Sequence, residues 1–196
     1  MPEKTDEEII VLYKNGDQEE FKNLINRYTT PLFNFTARLT GKNNAADIVQ
    51  EIFIKVWKNI NKFNPAKASF KTWIFTITKN TVTDFLRKKK SLLFSDLEKN
   101  DYEDGKGENY LAANIPDENL LPDEALQKLE DTKNLNEILN KLRPMYREIL
   151  VLHYQEEITF DEIGKILGKS TNTVKSQHRR AIIELRKMLD GCTKIK

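Results

Sequence analysis

Thr173, Lys175, Ser176, Arg179 and Arg180 are all hydrogen-bond donors, and helical spacing leaves them facing outward from one short segment. With no adjacent base to activate them as nucleophiles, they act through hydrogen bonds. They reach phosphate oxygens and base edges, so the chemistry they offer is recognition of nucleic acid. A helix must present them, and Val174, Ala181 and Leu185 supply its buried stripe. Ser170 stands where its hydroxyl can accept from the Thr173 amide and start that helix. Before it, Phe160, Ile163, Ile166 and Leu167 form the apolar face of another helix, which Gly168 ends with a residue suited to left-handed backbone. The stretch Thr159 to Arg180 thus predicts a helix-turn-helix with a recognition helix. Ordinary bundles also contain paired helices joined by glycine, and cations near a helix end also complement the dipole, so this segment alone leaves both readings open.

A second group lies on the predicted helix from Asn44 to Ile60, where Asp47, Gln50 and Glu51 share the face opposite Val49, Ile52, Phe53, Val56, Trp57 and Ile60. Such a face is by default merely solvated, and acid/base chemistry would need an enclosure that nothing here supplies. Residues 63–90 then interleave aromatics with cations. Phe63, Phe70, Trp73 and Phe75 offer ring faces for unstacked bases, and Lys62, Lys67, Lys71, Lys79 and Arg87 offer phosphate contacts. The spacing of Phe70, Trp73 and Phe85 fits a buried helical face, whereas Phe63, in a polar loop beside Pro65, is expected to stay open.

Composition narrows the classes. A chain of 196 residues, 39% hydrophobic and 32% charged, suits one medium or two small soluble cores. No apolar run nears the ~18 residues of a membrane span, and the acidic start MPEKTDEE lacks a signal-peptide core, so a cytoplasmic protein is expected. One cysteine, Cys192, and two histidines, His153 and His178, exclude an internal disulfide and a Cys/His zinc cluster. No glycine-rich phosphate loop or nucleophile/base pair is present, so neither an enzyme nor a cofactor is expected. The net charge of +2 conceals a division into balances of +6 over residues 1–90, −8 over 91–135 and +4 over 136–196. Two basic segments flank an acidic one, which would repel nucleic acid.

The elements implied are all helical. Thr5 and Glu8 form a capping box for a first helix. A second helix starts near Asp17 and stops at Gly41, with Pro31 as its kink; Asn43 or Asn44 caps a third, and Ser69 caps a fourth that ends in Arg87-Lys88-Lys89-Lys90. From Ser91 to Pro122 periodicity fades into Asp, Glu, Asn and Gly, a 32-residue linker and a domain boundary. Helical pattern resumes at Asp123 and breaks at Arg143-Pro144 before the helix-turn-helix.

Asp47, Gln50-Glu51, Phe53 and Trp57, then Ser69-Phe70-Lys71-Thr72-Trp73, then Asp84-Phe85-Leu86-Arg87, and finally Thr173-Val174-Lys175-Ser176 resemble, in this order, the extracytoplasmic-function group of bacterial sigma-70 factors. The resemblance covers nearly all of the chain apart from the linker. It implies an all-α fold of two small domains, region 2 over residues 1–90 and region 4 over 123–196, joined by the acidic linker 91–122.

The implied function is promoter-specific transcription initiation in company with core RNA polymerase. Asp47, Gln50, Glu51 and Ile54 would meet the β′ clamp helices, and the second domain the β flap. Lys62, Phe63, Lys67 and Ser69 would lie in the loop that captures a flipped base of the −10 element, with Lys79, Asn80, Thr83 and Arg87 along the helix beside it. Ser170, Thr171, Thr173, Lys175, Ser176, Arg179 and Arg180 would face the −35 element. The family also implies promoter DNA and an anti-sigma factor as partners, and no small-molecule substrate. His178 and Gln177 depart from the usual residues, and Gly164 replaces the usual alanine, which suggests close helix packing. A flexible 32-residue coil spans roughly 30 Å, against roughly 70 Å between elements two DNA turns apart. Free protein is therefore expected to bind promoter duplex weakly, with polymerase holding the domains apart. The alternative is a two-domain helix-turn-helix regulator that acts without polymerase.

Overall fold

Residues 4–97, 139 and 141–193 are described by the structure, a computed structural model. They contain seven α-helices and no strand. Helix α1 (Asp6–Lys14) begins at the expected capping box, in which the Thr5 amide donates to Glu8 Oε2 at 2.8 Å and the Glu8 amide to Thr5 Oγ1 at 3.3 Å. It is tied to α2 (Glu20–Thr40) where Arg27 and Tyr28 both donate to Asp6. Burial, reinforced by that bond, pushes the Tyr28 phenol well above its ordinary range.

Pro31 lies inside α2, which continues to Thr40. Gly41, at φ 85°, turns the chain so sharply that α3 (Lys42–Asn59) starts at the next residue with no side-chain cap. The cap expected at Asn43 or Asn44 is therefore not formed. Asn44 lies within α3, and its Nδ2 donates to the Thr40 carbonyl at 2.9 Å, satisfying an orphan acceptor of α2. A 3₁₀ turn, Ile60–Lys62, leads to the loop before α4 (Phe70–Leu97). Ser69 does cap α4, accepting from the Thr72 amide at 3.2 Å.

Helix α4 continues past Lys90, through the first residues of the expected linker. The remainder of that linker, and most of the helical pattern expected from Asp123 to the break at Arg143-Pro144, lie outside the described residues.

The C-terminal half opens with α5 (Pro144–Leu150), whose proline sits in the first turn where no amide is needed. A π-helical turn, Val151–Gln155, follows, then Glu157 at φ 54°, then α6 (Phe160–Leu167). Gly168 closes α6 in the left-handed region at φ 64°, and α7 (Thr171–Thr193) completes the helix-turn-helix. Sequence reasoning missed the capping box that starts α6, although Thr159 and Glu162 carry its Thr-x-x-Glu pattern.

The halves are packed together. One apolar cluster runs from Leu32, Phe35, Ile52, Phe70 and Ile74 across to Ile158, Ile163, Ile166 and Leu167. A smaller one, Leu142, Tyr146, Leu150 and Ala181, joins α5 to α7. Within the turn, a Cβ on Gly164 would lie 2.8 Å from the Lys169 carbonyl oxygen, so the expected close packing at this glycine is present. Gly164→Ala should therefore lower the melting temperature, because overpacking of about 1–3 kcal/mol exceeds a helix-propensity gain of about 1 kcal/mol. A variant melting above the parent in a calorimetric scan would contradict this packing argument.

Candidate nucleic-acid interface

Helix α7 presents the expected donors. Ser170, Thr173, Lys175, Ser176, Arg179 and Arg180 are exposed, while Val174 and Ala181 are fully buried beneath them. The amino end is built tightly: the Thr173 amide donates to Ser170 Oγ at 3.2 Å, and the half-buried Thr171 donates to Asp161 Oδ1 at 2.6 Å. The positive pole of α7 lies at this end, a setting that favours phosphate.

Gln177 and His178 turn inward instead. Gln177 accepts from Lys169 Nζ at 3.1 Å, and His178 Nε2 is hydrogen-bonded to the Tyr154 hydroxyl at 3.1 Å. Both histidines of the chain meet here. The His153 ring stacks on Phe160 with centroids 4.2 Å apart, meets His178 edge-on at 5.3 Å, and donates from Nδ1 to the Ile158 carbonyl at 3.0 Å. The π turn displaces its side chains from α-helical register, which lets His153 and Tyr154 converge on α7. Burial and the adjacent His153 together depress the His178 pKa.

At the other candidate surface, Lys62, Lys67, Ser69, Asn80, Thr83 and Arg87 are exposed and Lys79 is half-buried. Arg87 pairs with Asp84 at 3.1 Å. Phe63 corrects the expectation of an open ring. It is only 6% exposed, held edge-on to Phe70 at 5.6 Å and tilted against Trp73 at 5.4 Å. The polar neighbours concealed its role, because the 3₁₀ turn swings the ring back beneath the loop. Phe75 is likewise a core ring, edge-on to Phe35 at 5.6 Å.

On α3, Asp47, Gln50 and Glu51 are exposed along one face, with Glu51 paired to Lys55 at 2.7 Å. Ile54 is 51% exposed on the same face, and Trp57, expected in the buried stripe, is 55% exposed beside it. Position 57 falls three residues after Ile54 and so follows the outer row instead of the core. An exposed strip of acid, amide and large apolar side chains has the character of a protein contact.

Polar contacts join the two surfaces. Glu162 Oε1 accepts from Ser69 Oγ at 3.0 Å and Thr72 Oγ1 at 2.8 Å, while its other oxygen accepts from Thr159. Lys71 donates to the Glu156 carbonyl, Lys165 to that of Lys67 at 3.5 Å, and Arg147 to that of Arg38 at 3.0 Å. Burial raises the pKa values of Glu148 and Glu156; nearby Lys79 and Lys169 oppose the first, Lys71 and Arg38 the second. Among the described residues no cluster of three metal-ligating side chains occurs, and no helix is long and apolar enough to cross a membrane.

Comparison with known proteins agrees with this arrangement. The family model for Sigma-70 region 2 matches residues 24–92, and that for Sigma-70, region 4, matches residues 132–185. The chain is 33% identical to the ECF RNA polymerase sigma factor SigW of Bacillus subtilis over 177 residues, covering 90% of this chain and 92% of that one. It is 27% identical to the ECF RNA polymerase sigma-E factor of Haemophilus influenzae, covering 90% and 91%. Among solved structures, the sigma factor RpoE of Bartonella quintana, crystallised with the anti-sigma factor NepR, shares the fold with a TM-score of 0.69 at 23% identity, covering 88% of this chain and 98% of that one. CnrH, solved with the cytosolic domain of CnrY, gives 0.64 at 21% identity, with 93% and 96% covered.

The histidine cluster carries a pH dependence whose sign follows from the depressed His178 pKa. The fold favours the neutral ring, so its contribution is complete above the ordinary imidazole value of about 6.5 and is lost as pH falls below it. Lowering the pH from about 7.5 to about 5.5 should reduce the urea midpoint more for the parent than for His178→Gln. Equal reductions in the two proteins would show that His178 is not the group responsible.

Proposed function

The chain belongs to the extracytoplasmic-function group of the sigma-70 family, and we propose from that membership how its surfaces divide the work of starting transcription. It is an RNA polymerase sigma factor, binding core polymerase and directing it to promoters with −10 and −35 elements. The N-terminal half, to the end of α4 at Leu97, forms the body that docks on polymerase and opens the −10 element, residues 123–196 read the −35 element, and the segment between them joins the two. The observation that carries this assignment is the presence, in one chain, of an exposed acid, amide and apolar strip on α3 and an exposed donor face on α7.

On this reading Asp47, Gln50, Glu51 and Ile54, with Trp57 beside them, meet the β′ clamp helices, and the second body also contacts the β flap. Lys62, Lys67, Ser69, Lys79, Asn80, Thr83 and Arg87 contact the opened −10 strand. Phe63 braces the capture loop from beneath. Ser170, Thr171, Thr173, Lys175, Ser176, Arg179 and Arg180 contact the −35 duplex, with Gln177 and His178 holding α7 in place from behind. No residue acts as a catalyst: unstacking a base costs a few kcal/mol and contacts to the captured base and strand offset it. The protein works in the cytoplasm, where an anti-sigma factor is its regulatory partner.

In vitro transcription with core polymerase and a randomised promoter library tests the reading, and it should enrich a two-element promoter. Failure to initiate from any sequence would overturn it. Asp47→Ala combined with Gln50→Ala should abolish co-purification with core polymerase while leaving the melting temperature within a few degrees of the parent, since both side chains are exposed. Undiminished polymerase binding by that variant would move the docking site elsewhere.

A further inference from the structure

The amino end of α4 carries an anion that belongs to the other half of the chain. Ser69 and Thr72, the cap residue and one of the first-turn residues of this helix, both donate to the carboxylate of Glu162, which is 93 and 90 residues away in sequence. Burial weighs against charge on this group, yet bonds from Thr159, Thr72 and Ser69 hold its carboxyl below the usual carboxylate range. Helix amino ends attract anions, and a carboxylate on hydroxyl donors satisfies the same geometry as a phosphate oxygen. The surrounding contacts continue the pattern. Lys71 is engaged by the Glu156 carbonyl, the Lys67 carbonyl is engaged by Lys165, and Glu148 lies in the field of Lys79. Behind them, Phe70 and Ile74 share an apolar cluster with Ile163 and Ile166.

We propose that the C-terminal half is an intramolecular competitor for the −10 strand, with the Glu162 carboxylate occupying, at the amino end of α4, the position of a strand phosphate. The proposal rests on the assignment of the Ser69 region to the −10 element. The competing groups are the cations and hydroxyls that a phosphate backbone would use, so strand and second body cannot hold them together. The occupant is the chain's own α6, whose first turn is fixed by the same glutamate. Opening the two halves exposes α4; closing them withdraws it.

The test uses the full chain without polymerase and a fluorescent single-stranded oligonucleotide carrying the −10 sequence selected in the library experiment. Glu162→Gln removes the charge but keeps a residue able to complete the capping box with Thr159, and Glu162→Ala removes the acceptor altogether. Both should bind the strand more tightly, by a factor on the order of ten for the loss of one charge-assisted hydrogen bond. Glu157→Gln, which removes an exposed charge from the same region without touching α4, should leave affinity near the parent value. Energy transfer between dyes at Lys58 and Lys187, on a Cys192→Ser background, should report a longer separation in the Glu162 variants.

Unchanged strand affinity in folded Glu162→Gln and Glu162→Ala proteins would overturn the proposal. An equal gain from Glu157→Gln would do so as well, since general repulsion would then account for the effect. Initiation by the parent chain with core polymerase is scored separately, so loss of the sigma assignment and loss of the competition are distinguishable.

Discussion

The Glu162 carboxylate closes two helix ends at once. One oxygen completes the capping box of α6 with Thr159, and the other receives the hydroxyls of Ser69 and Thr72 at the start of α4. Each helix alone would need its own acceptor for amides or hydroxyls left over at its amino end. Sharing a single anion fixes α6 relative to α4, and α6 in turn fixes the turn and α7. Isoleucines 163 and 166 extend the contact into a common apolar cluster with Phe70 and Ile74, which makes the two helical bodies one packed unit. The hydrogen bonds supply position and the buried apolar area supplies most of the attraction, since net hydrogen-bond contributions are small beside apolar burial.

From that anchor the recognition helix is located by contacts on its inner side. Gly164 admits the Lys169 carbonyl, Gly168 takes the left-handed backbone, and Ser170 restarts the helix. Tyr154, His153 and Phe160 then bear on His178 from the π turn and α6. These constraints leave the donors of α7 outside and pre-oriented. A donor face held by a scaffold loses less conformational freedom on binding than one on a mobile loop, which is the physical advantage of spending two histidines and a tyrosine behind it.

The helix-turn-helix was almost fully legible in the sequence, because glycine geometry, serine capping and apolar period all act within a few residues. The boundary at Gly41 was legible as well. The start of α3 was not, since asparagine capping competed with a glycine turn that left it no room. Phe63 and Trp57 were misread for a shared reason: local polarity describes the neighbours of a ring, whereas its burial depends on which way a turn and a helix row carry it. The capping box at Thr159 and Glu162 was visible in its pattern. Its second role was not, because nothing in either local sequence says that Ser69 and Thr72 will meet that glutamate. Contacts across such separations are decided by packing.

Polar contacts mark where the two halves meet. The N-terminal segment is basic, and Lys67, Ser69, Lys71 and Thr72 lie at the start of α4. The C-terminal segment is also basic as a whole, yet three of its acids, Glu148, Glu156 and Glu162, are wholly or partly buried, whereas Arg179 and Arg180 lie on the exposed side of α7. The second half thus meets the first through the Glu162 carboxylate, the Glu156 carbonyl and the Lys165 and Arg147 side chains, and leaves Arg179 and Arg180 to the solvent. The donor face of α7 is therefore exposed in this arrangement, while at the start of α4 Thr72 is buried and Ser69 is engaged by Glu162. The two surfaces thus differ in access. On the proposed −10 assignment a single strand at Ser69 requires the halves to open, because the strand and Glu162 seek the same two hydroxyls.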